Sequence, residues 1–557
     1  MIQNTQIKAA PPDLIFVNAS VFTSNPNKPH AEAIAVSENR ISAVGCNKEI
    51  LAFKHPKTRT VDARGFTLMP GFIDSHVHLF IGSAELDNVF LDDVRTLADL
   101  HDKLKLHMND HPEADWICGS HMTYSLLPSN EPLTRHHLDA ISPDIPIVLM
   151  AYDYHTVWAN SKALMMGGIL NGYDPGPTGV VVMGTDHLAT GELREMAAYR
   201  PVLEHAGTWG RVTSELTAGK PASLSPQDDL MMLKKGLVFL ARHGITSVHN
   251  MDGNPTQLAL YTSLEESGEL SVRMSLPSGI TPASSPSLIE EVAQMHKKYR
   301  SDILRLEAVK FFMDGVIESG TAFLLEDYAD TPGQHGHPYF SLEQFVELGS
   351  LCDRLGLQIR VHAIGDGAIR HTLDGYEAIQ KMNGHRDSRH RIEHIELLHP
   401  ADTPRFQQLG VIASMQPLHL AGSNFENDVW LNRTGDHRWE YGFPWRSLRE
   451  AGAHLVFGSD WPVVSPNPML GLDRAVNRKP WLPCLTPQSQ TLAETLASYT
   501  RQAAYAEFQE HRKGQLQPGF LADMVLLSAD LESIPTNEIS GVVPIMTICD
   551  GCITYEA

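Results

Sequence analysis

The sequence contains no run of about 18 apolar residues, so no segment is predicted to cross a bilayer. Its first residues include no apolar core of a secretory signal, and its six scattered cysteines do not make a disulfide framework. Basic residues are few, since 44 Lys and Arg stand against 66 Asp and Glu, which gives a formal charge of −22. Nucleic acids and anionic membranes select basic surfaces, so neither is expected as a partner. These absences predict a soluble, cytoplasmic protein.

The overall composition is typical of a globular protein, and its unusual feature is a set of 28 histidines in 557 residues. Hydrophobic residues make up 42% of the chain and charged residues 20%, which is not the signature of a disordered protein. At roughly 150 residues per domain, the length predicts several domains.

Both ends of the chain contain β-rich runs. The carboxyl-terminal run includes Asp550-Gly551, a strong signal for a two-residue hairpin turn. Cys549 and Cys552 flank this turn; such a spacing can mark a redox or metal motif, but cross-strand neighbours are the favoured interpretation. We predict that residues 1–70 and 516–557 form one composite β-sandwich domain.

Between the two ends, amphipathic helices alternate with short apolar strands, a pattern typical of parallel β/α units. One helix is expected to follow the capping box of Ser341 and Gln344 and to end at Gly356. Eight strands of this kind are predicted, at Phe72–His78, Ile245–Asn250, Val272–Gly279, Leu306–Phe312, Ile359–Ile364, Arg391–His394, Val411–Gln416 and His454–Asp460. Eight parallel strands with intervening helices make a (β/α)8 TIM barrel, so the predicted fold class is α/β.

The spacing of these strands is irregular after the first one, where about 165 residues precede the second. We interpret most of this stretch as an insertion after barrel strand 1, with residues 145–155 as one of its strands. The predicted division gives residues 71–83 and 225–515 to the barrel and 84–224 to the inserted domain or lid. Ser225 is the expected N-cap of the first helix after the insertion.

Side chains that bind metals recur at the carboxyl ends of the predicted strands. The first strand ends with His76 and His78, which period-two alternation places on one face, where they suit a divalent cation such as zinc. The fifth strand carries His362, the sixth carries His394 and the eighth ends at Asp460. One His pair alone is weak among 28 histidines, but four strands place N or O donors at the end where barrels carry catalytic residues.

Lys310 lies among apolar neighbours on the fourth strand. It either extends its amine to water from the strand end or is desolvated, in which case it loses its proton readily and becomes a nucleophile. A desolvated amine can react with CO2 to give a carbamate, an anionic oxygen ligand that can bridge two cations. The residues leave these two interpretations open.

Several segments match a known family in order along the chain. They are V-D-A-R-G-F-T-L-M-P-G-F-I-D-S-H-V-H, G-I-T-S-V-H, V-K-F-F-M-D-G, V-H-A-I-G-D-G-A, H-R-I-E-H, V-F-G-S-D-W-P and G-F-L-A-D-M-V-L-L. With these segments the chain resembles the amidohydrolase superfamily, and within it the amidohydrolase family 3 group, which includes N-substituted formamide deformylase-like proteins. The resemblance covers essentially the whole chain, including the composite β domain.

The resemblance implies a binuclear centre with two divalent ions, zinc first among the candidates. Its ligands would be His76 and His78 on one ion, His362 and His394 on the other, carboxylated Lys310 as the bridge, and Asp460 as ligand and catalytic base.

The resemblance also extends to the inserted segment D-Y-H-T-V-W, which makes His155 and Trp158 candidates for the substrate pocket. The chain departs from the family after the lysine strand. Many relatives are expected to read D-G-S-x-x-S-R-T-A there, whereas this chain has Glu318 and carries Gly320 in place of the arginine. Glu318 is therefore a third candidate substrate contact, and the departure leaves the metal ligands untouched.

The predicted activity is hydrolysis of an amide-like C–N bond (amide, N-formyl, carbamate or related) in a small molecule. A metal-bound hydroxide would attack, with Asp460 as general base and then acid. Deamination of a ring substrate is an alternative, ranked lower because deaminase relatives carry a glutamate three residues after the fifth-strand histidine, where this chain has Gly365. A non-catalytic scaffold of the same fold is the other alternative. The resemblance favours a homodimer.

Overall fold

The computed structural model of the chain describes residues 11–86, 88–127, 131–176, 179–206, 210, 226–420 and 428–557. The strands, in chain order, are β1 (Leu14–Val17), β2 (Ser20–Phe22), β3 (His30–Ala31), β4 (Ala33–Ser37), β5 (Arg40–Gly45), β6 (Arg59–Asp62), β7 (Thr67–Pro70), β8 (Phe72–Val77), β9 (Val89–Phe90), β10 (Ile117–Met122), β11 (Ile147–Ala151), β12 (Thr156–Ala159), β13 (Val180–Met183), β14 (Ala189–Arg194), β15 (Ile245–Asn250), β16 (Arg273–Gly279), β17 (Leu304–Phe312), β18 (Gln358–Ala363), β19 (Arg391–His394), β20 (Ile412–Met415), β21 (His454–Phe457), β22 (Met524–Leu527), β23 (Pro544–Cys549) and β24 (Cys552–Glu556).

The helices in this part of the chain are α1 (Asn47–Leu51), α2 (Leu79–Glu85), α3 (Leu97–Asp110), α4 (Arg135–Ile141), α5 (Ser161–Met166), α6 (Met196–Leu203), α7 (Pro226–Arg242), α8 (Pro255–Glu266), α9 (Pro286–Lys298), α10 (Leu342–Arg354), α11 (Asp366–Asn383), α12 (Thr403–Leu409), α13 (Val429–Thr434), α14 (Trp445–Glu450), α15 (Pro468–Asn477), α16 (Leu492–Ser498) and α17 (Arg501–Ala506). Short 3-10 turns span Pro400–Asp402, Pro417–His419, Asp436–Tyr441 and Thr536–Gly541. None of the described helices combines the length and the apolar character that a membrane span requires.

The two ends of the chain meet in one β-sandwich domain. One sheet has the order β5-β4-β1-β6, and the other has the order β24-β23-β22-β7-β2-β3. Strand β7 pairs antiparallel with β22, which joins amino- and carboxyl-terminal segments in a single sheet. Phe16 and Ile548 lie in the same buried apolar cluster between the sheets. The described strands from both ends thus pair as the predicted composite β-sandwich requires, and the bounds 1–70 and 516–557 stay a prediction.

The predicted hairpin at Asp550-Gly551 connects β23 and β24. Both residues have a positive φ, 53° and 76°, as the tight turns of two-residue hairpins require. Cys549 and Cys552 are cross-strand partners next to this turn, and both are free thiols.

The central sheet is an all-parallel barrel. Strands β8 and β15 to β21 are hydrogen-bonded in sequence order. The first and last strands approach each other beyond β21, where the backbone N of Asp460 donates to the carbonyl of His76 at 2.7 Å and that of His78 donates to Trp461 at 2.7 Å. The eight strands therefore form a nearly closed barrel, which confirms the predicted (β/α)8 TIM fold.

Strands β18 and β20 each end one residue before their predicted ends, at Ala363 and Met415. The predicted ends of two further strands, β8 and β21, are wrong at residues of the site. Strand β8 ends at Val77, so that His78 is the N-cap of α2 instead of a strand residue. Strand β21 ends at Phe457, before Asp460, whose φ of 65° lies in the left-handed region that a strand does not use. Both departures occur at the rim of the barrel, where the chain turns to present side chains.

The insertion after β8 forms its own mixed sheet, with the order β13-β14-β12-β11-β10-β9. The segment predicted as an inserted strand is β11, which pairs parallel with β10 and antiparallel with β12. The expected domain boundary after residue 83 lies inside α2, and the boundary at residue 225 lies outside the described residues.

Local signals explain where the barrel helices begin and end. The hydroxyl of Ser341 accepts from the backbone N of Gln344 at 3.2 Å, and the Gln344 side chain accepts from the backbone N of Ser341 at 3.1 Å. This is the predicted capping box of α10, and Gly356, with a φ of 85°, follows its end. The predicted N-cap of α7, Ser225, lies outside the described residues.

Candidate metal centre

The predicted ligands converge at the carboxyl-terminal rim of the barrel. The ring centroids of His76 and His394 are 4.8 Å apart, those of His362 and His394 are 4.5 Å apart, and those of His76 and His78 are 5.6 Å apart. One carboxylate oxygen of Asp460 lies 3.3 Å from Nε2 of His76 and 3.3 Å from Nε2 of His78. Side chains from β8, β18, β19 and the segment after β21 thus surround a common space.

Three of these side chains already have the spacing of a metal site. His76, His394 and Asp460 each offer one ligand atom, and these atoms all lie within 4.8 Å of one another. His394 and Asp460 have positive φ values of 78° and 65°. Such conformations are costly for residues other than glycine and concentrate at functional sites.

Hydrogen bonds determine which nitrogen of each histidine is free to bind a cation. Nδ1 of His76 donates to Glu393 at 2.8 Å, which leaves Nε2 as the unprotonated nitrogen. Nδ1 of His78 is held in the same way by Asp252 at 3.0 Å. Nε2 of His76 is buried without a hydrogen-bond partner among the described residues. An orphaned lone pair at this place fits a divalent cation.

In His394 and His362, too, one ring nitrogen is held by an oxygen acceptor. Nδ1 of His394 lies 2.9 Å from the amide oxygen of Gln416, and Nε2 of His362 lies 3.0 Å from the carbonyl of Gly315. The remaining nitrogens, Nε2 of His394 and Nδ1 of His362, are the candidate donors. All four imidazoles are therefore oriented by an oxygen acceptor before any ligand binds.

Burial keeps three of these imidazoles in the neutral form that metals require. It lowers the pKa of His76 to about 4, against the opposing effect of Asp460. It also holds the pKa values of His362 and His394 well below the usual range. Neutral nitrogen donors are thus available at neutral pH.

His78 and Asp460 form a charged pair at the same place. Burial alone would lower the pKa of His78, but the carboxylates of Asp252 and Asp460 outweigh it and raise this pKa to about 9. Burial would raise the pKa of Asp460, but His76 and His78 hold it well below its ordinary value. Asp460 is therefore an anionic oxygen donor.

Lys310 projects from β17 into the barrel and is 2% exposed. Its Nζ is buried without a hydrogen-bond partner in the described residues, and it lies 4.9 Å from the ring centroid of Phe312. Burial lowers the pKa of Lys310 to about 8, despite the nearby carboxylates of Glu393 and Asp460. A desolvated, unpartnered amine is compatible with carbamate formation.

Two of the three candidate substrate contacts lie at this rim. His155 comes from the insertion, 6.0 Å from the His362 ring between centroids, and its Nδ1 donates to Glu195 at 2.8 Å. The pKa of Glu318 is held well above its ordinary value by burial and by the neighbouring Glu396.

Trp158 lies elsewhere. It is 4% exposed on β12 and belongs to the apolar core of the insertion, with its ring 5.3 Å from that of Tyr124. The phenol of Tyr124 in turn donates to Asp153, two residues before His155. Trp158 thus packs behind the segment that carries His155.

The structure shows what lies beside Gly320, the position where many relatives are expected to carry an arginine. Gly320 has a φ of 75°, and a Cβ at this position would lie 3.3 Å from the guanidinium of Arg433 on α13. Nε of Arg433 donates to the carbonyl of Glu318 at 3.0 Å, and its Nη1 lies 3.4 Å from Asp330. An arginine from another element therefore occupies the space beside this glycine.

Two polar residues at the centre, His419 and Glu393, were not predicted from the sequence. His419 lies with Nε2 3.6 Å from Asp460 and Nδ1 3.5 Å from Glu396, and its ring stacks on that of His394 at 5.7 Å. Its position just beyond the seventh strand was a usable signal. Glu393 could also have been found, because period-two alternation on β19 places Arg391 and Glu393 on one face.

Comparisons with known proteins identify the family of the chain. A model of the amidohydrolase family matches residues 59–555. Protein LONG AFTER FAR-RED 3 of Arabidopsis thaliana is 30% identical over 535 residues, which cover 93% of this chain and 87% of that protein. N-substituted formamide deformylase of Arthrobacter pascens is 26% identical over 553 residues, or 98% of each chain.

Among solved structures, an uncharacterized metal-dependent hydrolase from Pyrococcus horikoshii OT3 superposes with a TM-score of 0.69 at 26% identity. The alignment covers 91% of this chain and 96% of that one.

Proposed function

Because the chain belongs to the amidohydrolase family, we propose that it is a metal-dependent hydrolase that cleaves an amide-like C–N bond in a small molecule. The observation that carries the proposal is the convergence of four oriented imidazoles and the Asp460 carboxylate at one rim. Two divalent ions are proposed, zinc first, because neutral imidazole and carboxylate are ligands that zinc accepts.

Each ligand has a proposed place in this centre. His76 and His78 would hold one ion, His362 and His394 would hold the other, and Lys310, if carboxylated, would supply an anionic oxygen ligand between them. When bound, a divalent cation lowers the pKa of water and polarises the substrate carbonyl.

Asp460 is the proposed general base and acid. Its carboxylate accepts one proton from the attacking water as the new C–O bond forms. It then returns this proton to the nitrogen as the C–N bond breaks, so that the products are a carboxylic acid and an amine. Its position against both His76 and His78 supports this role, because the same carboxylate can contact water at the centre.

The substrate is proposed to contact His155 and Glu318. Glu195 fixes the His155 ring, so Nε2 is the atom left for a substrate. Trp158 packs against Tyr124 and so supports the segment that carries His155. The name of the Arthrobacter relative makes N-formyl amines the first class to test, followed by aryl amides and carbamates.

The test is turnover of this substrate panel by zinc-loaded protein and by Asp460→Asn. We expect the variant to fold and to lose about 10²- to 10⁴-fold in kcat, the usual contribution of a positioned general base. Zinc content is measured in parallel, because Asp460 is also a proposed ligand. Asp102→Asn, at a side chain that is 85% exposed, is the matched control. Near-normal turnover by zinc-loaded Asp460→Asn would exclude this residue as the base.

A further inference from the structure

A line of charged and polar side chains runs through the barrel interior from the candidate metal centre towards the opposite end. Its members are Glu393, Arg391, His249, Glu507 and Lys513, and none is more than 3% exposed. Interiors of (β/α) barrels are usually filled with layers of branched apolar side chains. Buried charges are costly unless they are paired, so this line needs a structural or functional reason.

The upper end of the line contacts a proposed metal ligand. Oε2 of Glu393 accepts from Nδ1 of His76 at 2.8 Å, with these side chains 0% and 1% exposed. Arg391 holds the same carboxylate with two nitrogens, Nε at 2.9 Å from Oε1 and Nη2 at 3.0 Å from Oε2. Nη2 also donates to the carbonyl of Ser75 at 2.7 Å. Arg391 thus fixes both Glu393 and the residue before His76.

In the lower half of the line, the partners of His249 define which of its ring nitrogens carries the proton. Nη1 of Arg391 lies 2.8 Å from Nδ1 of His249, and a guanidinium can only donate, so Nδ1 is the acceptor. The ring proton of His249 is therefore on Nε2, which lies 3.2 Å from Oε1 of Glu507. Nζ of Lys513 lies 2.6 Å from that same oxygen and donates to Ser247 at 2.7 Å.

The last two members come from the far side of the barrel. Glu507 and Lys513 follow α17, and Ser247, which Lys513 contacts, pairs with Arg273 at the start of β16. A small depression at this end is lined by Arg273, Asp302, Arg305, Glu507, Gln509 and Lys513, among others. The line therefore connects the proposed centre with the amino-terminal face of the barrel.

We propose that Glu393 is a positioning residue for the metal ligand His76, and that Arg391, His249, Glu507 and Lys513 hold Glu393 in place from the opposite end of the barrel. This inference rests on the proposed function. Carboxylates that accept from a metal-bound histidine orient its ring and increase its basicity, and their loss typically costs about 10- to 100-fold in metal affinity.

The test measures the zinc dissociation constant of folded apo protein by competition with a chelator. Glu393→Gln keeps the shape of the side chain but removes its charge, and we expect about 10- to 100-fold weaker zinc binding. His249→Phe keeps a ring but removes the acceptor for Arg391, and we expect weaker zinc binding with a smaller fold-change. Glu393→Asp, which keeps the charge and shortens the reach, replaces Glu393→Gln if that variant does not fold, with the same expected direction.

The control is Asp353→Asn, at a buried carboxylate that binds His390 at 3.1 Å and Arg386 at 2.7 Å away from the metal centre. It should lower the melting temperature of the apo protein and leave zinc affinity unchanged. Wild-type zinc affinity in the Glu393 variant would overturn the inference. Wild-type zinc affinity in His249→Phe would overturn the part of it in which the line below Glu393 holds that residue in place. Wild-type protein that binds no zinc would instead overturn the proposed function.

Discussion

At the scale of single residues, the centre is arranged before any ligand binds. Each of four imidazoles is fixed by an oxygen acceptor of a different kind: a glutamate, an aspartate, a carboxamide and a backbone carbonyl. In the three imidazoles that burial keeps neutral, this partner decides which nitrogen carries the proton and leaves the other nitrogen as the candidate donor. Removing one acceptor should therefore disturb metal binding without removing a ligand.

The carbamate on Lys310 is tested at this scale. In zinc-loaded protein incubated with ¹³C-labelled bicarbonate, we expect a carbamate signal by ¹³C NMR, because the amine is buried and burial lowers its pKa to about 8. Lys310→Met should lose the signal and bind less zinc. Lys381→Met, at a side chain that is 73% exposed, should keep both. A wild-type spectrum without the signal would contradict the bridging role.

The convergence of the candidate ligands could be predicted from the sequence, but most of their hydrogen-bond partners could not. His76 lies in β8, and His78 and Asp460 lie just beyond the ends of β8 and β21, strands that local patterns locate. Asp252, which orients His78, is 174 residues away from it along the chain. Only the tertiary arrangement brings such a pair together, so no local periodicity identifies it.

At the scale of elements, apolar runs predicted the barrel strands to within a few residues, and the largest difference occurs at the rim. Strand β15 has its predicted bounds, whereas β21 ends at Phe457, before Gly458 and Ser459. The backbone N of Ser459 donates to the Asp74 carboxylate at 2.8 Å, a contact across the closing seam of the barrel. Side-chain acceptors of this kind end a strand where sequence alone predicts its continuation.

The capping box of α10 provides a prediction for a single element. Ser341→Ala should lower the free energy of opening of this helix by about 1 kcal/mol, because the backbone N of Gln344 loses its acceptor. Hydrogen exchange of the α10 amides measures this change. Ser341→Asp can accept from the same N–H and should retain most of the protection. Equal loss in both variants would show that the cap is not responsible.

At the scale of the whole molecule, the composite β domain and the barrel share buried contacts. Arg273 begins β16 of the barrel, and its guanidinium binds Asp523 at 2.6 and 2.9 Å and Asp550 at 2.7 Å. These carboxylates lie next to β22 and in the hairpin of the carboxyl-terminal strands. An ion cluster therefore joins the composite β domain to the barrel.

A homodimer and a cytoplasmic location stay predictions.

Loss of this cluster should loosen the carboxyl-terminal strands. Arg273→Met leaves two carboxylates without their cation, one of them 4% exposed, and should destabilise the protein by about 3–5 kcal/mol. Limited proteolysis and chemical denaturation measure this effect. Arg512→Met, at an arginine that is 37% exposed, should change stability by at most about 1 kcal/mol. Similar effects of the two substitutions would contradict the assigned role of Arg273.

The central claim is that distant side chains, from His76 to Asp460, bind divalent cations at one rim of the barrel. Anomalous X-ray diffraction from crystals of zinc-loaded protein tests it most directly. We predict a zinc peak within about 2.0–2.2 Å of Nε2 of His76 and of His78, with the Asp460 carboxylate in the same coordination sphere. A second peak is predicted beside His362 and His394. Anomalous peaks only at other places on the protein would contradict the account.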